Sequence, residues 1–213
     1  MAKSKLGATS EVNAGSMADI AFLLLIFFLV TTTIANDKGI AMRLPPKPDP
    51  NEPPPEVNKN DRNIFKILAN SNDQLLVEDE PLTDVLELQE MIKAFILNFG
   101  NPSEEYVKMY NGLPPVLKSY VNANGKKADS SDDPKEAVVS FKADRGTTYE
   151  LYVEVLDQIN AAYNEVYGLR VGISGDEFLQ LEKNNPEEKA MYDKARQGIP
   201  RAISIAEPNK IGG

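Results

Sequence analysis

Residues 17–35 read MADIAFLLLIFFLVTTTIA, and the rest of the chain is interpreted from this stretch. Ile20 to Val30 is an 11-residue run without a polar side chain. Met17 to Ala35 is 19 residues, which as a helix rising about 1.5 Å per residue spans roughly 28 Å. That matches one bilayer hydrocarbon core, so a single transmembrane helix is expected over 17–35. Thr31, Thr32 and Thr33 are tolerable near its far end because their hydroxyls can bond back to helix carbonyls. A cleaved secretory leader is the alternative reading, with Lys3 and Lys5 in front, a short apolar core and small residues near Ala35. Asp19, at the mouth of the apolar run, argues against a leader. Lys38, Arg43 and Lys47 follow the span and outnumber Lys3 and Lys5, so the flanking charges do not set its orientation.

The charge of the chain lies elsewhere. Among 213 residues there are 23 Lys plus Arg against 32 Asp plus Glu, a formal net charge of −9. Lys3 and Lys5 balance Glu11 and Asp19, so the whole excess belongs to residues 36–213. Such an acidic balance argues against nucleic acid as a partner. The chain has no Cys, His or Trp, which excludes disulfide scaffolds, Cys or His zinc sites, thiol nucleophiles and any Ser-His-Asp machinery. With 42% hydrophobic residues, the length is enough for a packed core.

Past Ala35 the composition changes. Seven of the 15 prolines fall between Pro45 and Pro55 (PPKPDPNEPPP). Prolines this dense favour extended polyproline geometry, so residues 36–62 are expected to be a semi-rigid linker, reaching roughly 80 Å at about 3.1 Å per residue. Residues 63–213 read as an α+β domain with helices packed on a small mixed sheet. Asn63–Ala69 and Leu75–Val77 flank an Asn-rich turn and suggest a hairpin. Thr83 is placed to cap a helix carrying Val85, Leu88, Met91, Ile92, Phe95 and Phe99, stopped by Gly100 and Pro102. Ala137–Ala143 reads as a central strand, 149–167 as a long helix ended by Gly168, and Leu169–Ser174 as a further strand. Asn185-Pro186-Glu187-Glu188 opens another helix, with Gly198 closing it and Ala202–Ala206 a last strand. Residues 101–136 fit this pattern poorly and are treated as an insertion, with 122–135 a polar loop.

The domain offers little chemistry. It has no glycine-rich phosphate loop and no metal-ligand spacing. Asp129, Asp132 and Asp133 read as a solvated acidic loop, because their spacing is wrong for a twelve-residue calcium loop. Asp144-Arg145-Gly146 reads as a turn, and the tyrosines at 149, 152, 163 and 167 as packing residues. No cofactor and no metal is expected, and a binding or assembly module is expected rather than an enzyme. Asp19 is the residue with chemistry in it. As a structural residue it is an interfacial acid or helix cap. As a functional one it is a proton carrier, because a carboxyl held away from water can exchange protons nearer neutral pH. Phe22, Leu23, Ile26, Val30 and Thr33 share its side of the helix. The face offers a single acid, so another protein must complete any proton path.

The segment Glu11-Val12-Asn13 to Val30 resembles the start of the ExbD/TolR family, whose pattern is Glu-Ile-Asn, a few residues, an Asp and an apolar membrane helix. Asn13 and Asp19 match in register. Ser16 stands where the family usually has Pro. Val139-Ser140-Phe141-Lys142-Ala143-Asp144, then Tyr149 and Val155-Leu156-Asp157, is similar to the family's pattern in its periplasmic domain. The resemblance implies residues 1–16 in the cytoplasm, one helix through the inner membrane and the rest in the periplasm. It implies a dimer of this chain inside an ExbB-like or TolQ-like multi-helix channel, with Asp19 taking up and releasing protons. Asn13, Ser16 and Thr33 would support Asp19, and Asp144 and Tyr149 would mark the periplasmic motif. In the ExbD branch, which the resemblance favours, the work passes to a TonB-like transducer for import of scarce iron chelates. In the TolR branch it serves envelope integrity. A membrane-tethered binding module, with Asp19 incidental, is the competing class.

Overall fold

The structure, a computed structural model, describes residues 14–31, 60–182 and 184–206. The chain divides into two compact units, Met1–Pro55 and Glu56–Gly213. In the first, the described part is one helix, α1 (Ala14–Thr31). Its side chains from Ile20 to Phe28 are all exposed, so α1 is apolar all round rather than along one stripe. Among the described residues no helix is long and apolar enough to cross a membrane. Of the stretch 17–35, residues 17–31 lie in helix α1. Residues 32–35 and the linker up to residue 59 lie outside the described residues.

The second unit is built on a five-stranded mixed sheet in the order β3-β2-β1-β4-β5. Strand β1 (Ile64–Ala69) is central. It pairs antiparallel with β2 (Leu75–Val77) and parallel with β4 (Val138–Ala143). Strand β3 (Glu80–Leu82) extends the antiparallel side, and β5 (Ile203–Ala206) lies parallel to β4. The hairpin, the strand expected at 137–143 and the last strand thus form as their sequences suggest, with β4 an inner strand beside the central β1. Period-two alternation sorts the faces. Phe65, Ile67, Ala69, Leu75, Val77, Val139 and Phe141 are buried, while Lys66, Leu68, Leu76, Ser140 and Lys142 on the other face are not. Helices cover the buried face. Phe95 of α2 (Glu87–Ile96) meets Phe65, and Tyr152 of α5 (Tyr149–Val171) meets Phe141, with ring centres 5.2 and 5.3 Å apart. Burying each such large apolar side chain contributes about 1.5–3 kcal/mol.

Several elements depart from expectation for identifiable reasons. Helix α2 begins at Glu87 rather than behind Thr83. Thr83 directly follows β3, and the Asp84 carboxylate accepts from the Leu86 N–H to turn the chain first. The helix ends at Ile96, so Phe99 packs in the core from outside it. Helix α5 does not stop at Gly168, and Leu169–Ser174 is not a strand. The helix runs 23 residues to Val171 and ends at Gly172, whose φ of 85° suits glycine. Gly168 serves another purpose: a Cβ there would lie 2.5 Å from the Ser174 carbonyl oxygen. Bare backbone lets the chain fold back into α6 (Gly175–Gln180).

Residues 101–136 contain two helices, α3 (Glu104–Asn111) and α4 (Pro115–Asn124). The loop behind them is not solvated as expected. Ser131 is fully buried and Asp133 is 4% exposed, while Asp129 is exposed. Asn98, itself buried, donates to the carbonyls of Lys127 and Ser131 and accepts from the Lys127 N–H at 2.9 Å. Asp133 accepts from the backbone N–H groups of Lys135 and Glu136. Asn98 and the Ser131 hydroxyl, which donates to the Phe95 carbonyl at 2.6 Å, therefore fasten the loop at the end of α2, while Asp133 is used inside the loop and Asp129 alone faces water as expected. Helix α7 (Pro186–Arg196) opens as expected, with the Asn185 side chain accepting from the Glu187 N–H.

One polar cluster ties α2 to α5. Gln89 and Lys93 both donate to the Glu165 carboxylate, at 2.8 and 2.9 Å. Lys93 also pairs with Glu90 and lies 4.7 Å from the centre of the Tyr120 ring. The Tyr120 hydroxyl is buried and faces Glu90 outside ideal hydrogen-bond geometry. Burial pushes Lys93 down and Glu90 up. Their hydrogen bonds and ion pairing outweigh this, holding Lys93 above its ordinary 10.5 and Glu90 below its ordinary 4.5.

Two outcomes follow. Gly168→Ala, which in an ordinary helix interior gains up to about 1 kcal/mol, will instead destabilise by about 1–3 kcal/mol in urea unfolding, because the Ser174 carbonyl must move. Lys93→Met leaves Glu165 without its cation and will cost about 1–3 kcal/mol. The pH dependence has two limbs. The contribution of Lys93, raised in the fold, is complete below pH 10.5 and is lost as pH rises through its folded value. That of Glu90, lowered in the fold, is complete above pH 4.5 and is lost as pH falls through its folded value. Stability measured against pH will lose the alkaline limb in Lys93→Met.

Candidate functional site

Asp19 is the sixth residue of α1, and no acid occupies the first turn. The unpaired N–H groups that an N-cap satisfies belong to that first turn. Asp19 therefore does not cap α1, which removes one structural explanation for an acid here. Its neighbours Met17, Ile20, Phe22 and Leu23 are exposed, as is Asp19 itself. The continuous helix keeps Phe22, Leu23 and Ile26 at spacings that place them on the side of Asp19. From Asp19 to Val30 the rise is about 16 Å. Ser16 lies in α1, while Asn13 and Thr33 lie outside the described residues. The arrangement presents one carboxyl on an apolar cylinder. Among the described residues of α1 it is the one charged group.

Asp144 and Tyr149 lie elsewhere, on the loop from β4 to α5. The Asp144 N–H donates to the Ala69 carbonyl at 2.9 Å, and its own carbonyl accepts from the Thr147 N–H at 3.1 Å, closing the turn read from Asp144-Arg145-Gly146. Both side chains face outward: Asp144 is exposed, and Tyr149, at 81% exposed, is not the packing residue expected. Tyr163 and Tyr167 are fully buried and do pack as expected. Asp144 borders a cleft of about 630 Å³ with Leu68, Leu76, Pro81, Lys142 and Asp73 at the ends of β1 and β4. Tyr149 is not among its lining residues, so the structure does not bring the two motif residues together.

Sequence reasoning missed the residue that holds this corner. Asp73, with φ of 57°, ends the β1–β2 turn and accepts from the Thr148 N–H at 2.8 Å. Thr148 in turn caps α5, accepting from the Leu151 N–H at 3.3 Å. The Thr147 hydroxyl donates to the carbonyls of Ala69 and Asn70. A Thr before an apolar-periodic run is a recognisable cap signal, but its partner lies 75 residues away. Among the described residues no group of three or more carboxylates could hold a metal ion.

An apolar helix carrying one acid thus precedes, along the chain, an α+β domain of five strands among the described residues. The family model described as biopolymer transport protein ExbD/TolR matches residues 7–173, more than three-quarters of the chain, and the chain belongs to that family. No curated protein matches it. The match takes in α1, β1 to β4 and α5, and ends before α6, α7 and β5.

Thr148→Ala will cost about 1 kcal/mol in thermal or urea unfolding and Thr148→Ser only a fraction of that, because the serine hydroxyl restores the cap.

Proposed function

We propose that this chain is the proton-responsive subunit of an inner-membrane motor, anchored by residues 17–35 with residues 1–16 in the cytoplasm and the α+β domain in the periplasm. The observation that carries the reading is Asp19, the one charged residue of α1, past its first turn and on an otherwise apolar helix. Membership of a biopolymer transport family supports it, since such transport needs an energy source. The family implies an ExbB-like or TolQ-like multi-helix channel that surrounds a pair of these helices and supplies the groups Asp19 lacks. A proton moving down its gradient delivers about 2.3 kcal/mol per charge per 100 mV. Taking up and releasing that proton switches Asp19 between neutral and charged forms, and the helix pair shifts between two packings in the channel. The proline-rich linker carries the motion to the periplasmic domain. Its recipient is a TonB-like transducer that opens outer-membrane transporters for iron chelates. Asn13, Ser16 and Thr33 line the path near Asp19, and Asp144 and Tyr149 present the family motif to a partner.

The test compares the native chain with Asp19→Asn and Asp19→Glu, at equal membrane levels, in cells lacking the native subunit. Uptake of an iron chelate and envelope leakage are both scored. Asparagine keeps size and polarity but carries no proton, so uptake should collapse to background, while glutamate should retain part of it. Leakage with normal uptake would assign the chain to envelope maintenance. No change in either would leave a membrane-tethered binding module as the better account.

A further inference from the structure

We infer that the α+β domain is a mechanical clamp, built so that load arriving along the chain at Asn60 is resisted in shear by its parallel strands. The inference rests on the reading of this chain as a motor subunit, because only a part that transmits work meets such a load. Strand β1 begins just after Asn60 and is the centre of the sheet. It is parallel to β4 in six aligned pairs, from Ile64 with Val138 to Ala69 with Ala143. Strand β4 is parallel to β5 in four, from Val139 with Ile203 to Lys142 with Ala206. In this register the start of β1 and the end of β5 lie at opposite ends of the sheet. A pull between them runs along the strands, and the ladder bonds of each pair share it. A pull across neighbouring strand ends instead breaks the bonds one after another, at much lower force.

Side chains fix both ends of this ladder. At the loaded end, Asn63 donates to the Asp132 carboxylate at 2.8 Å and accepts from the Asp132 N–H at 2.8 Å, and Arg62 pairs with the same carboxylate. The chain thus reaches β1 already joined to the loop that leads into β4. At the far end, the Asp144 N–H and the Thr147 hydroxyl hold the Ala69 carbonyl. Strand β5 is held at its start. The buried hydroxyls of Tyr167 and Tyr163 donate to the carbonyls of Ile199 and Ala202, at 2.9 and 3.2 Å. Arg201 donates to Asn160 and Asn164 of α5 and lies 5.5 Å from both ring centres.

The chain contains no cysteine, so paired cysteines give unambiguous attachment points for single-molecule pulling on the full chain in detergent. Asn60→Cys with Ala206→Cys loads the ladder in shear. Arg145→Cys with Ala206→Cys loads the neighbouring ends of β4 and β5 and peels them apart. At one loading rate the first pair should rupture at a force at least about threefold that of the second. Adding Asn63→Ala, with folding checked by circular dichroism, should lower the first force and leave the second unchanged. Equal forces for the two geometries would overturn the clamp, as would an Asn63→Ala effect of the same size on both. Neither result would touch the role of Asp19, which the uptake experiment tests separately.

Discussion

The pairing of β1 on both edges is the constraint on which the domain depends. Among the described strands, β1 alone has an antiparallel neighbour on one side and a parallel neighbour on the other. The antiparallel side needs only a short turn. The parallel side needs a long crossover, and residues 70–137 supply it by way of β2, β3 and α2 to α4. The buried face of β1 must then be covered, which places α2 and α5 on Phe65, Ile67 and Phe141. Once those helices share one face, Lys93 and Gln89 reach Glu165, and the polar cluster between them forms without exposing the core.

The same arrangement explains what was legible in the sequence. Strand β1 alternates cleanly, and the Asn-rich turn after it can adopt the left-handed backbone that Asp73 shows. The Asn-Pro-Glu-Glu start of α7 carries its cap, its first-turn proline and its acids within four residues. These signals are local, and local signals survive folding. Residues 169–174 are not legible as helix in sequence, because Gly168 looks like a terminator until the Ser174 carbonyl is seen packed against it. Residues 101–136 were unreadable for a related reason. Asp132 and Asp133 look solvated until Asn63 and the backbone of the loop claim them, and Asn98 holds the backbone beside them. In both stretches the deciding contact is made only after the chain has folded back.

The candidate site divides in the same way. Asp19 was visible at once, because a single charge in an apolar run needs no partner to be noticed. Its place beyond the first turn of α1 sharpens the reading by removing the cap explanation. Asp144 and Tyr149 came only from resemblance, and the structure places them outward on one loop without joining them. Asp73, which holds that loop, could not be found from spacing, since its partner Thr148 lies in a different element. The proposed roles thus divide between the two units, a proton carrier on helix α1 and a load-bearing sheet in the domain.

The central claim is that Asp19 carries protons. It is tested most directly by proton flux in liposomes holding the complex of this chain with its channel partner, under an imposed potential. The account predicts measurable inward flux with the native chain and flux at the level of empty liposomes with Asp19→Asn. Undiminished flux through an intact complex bearing asparagine would contradict it.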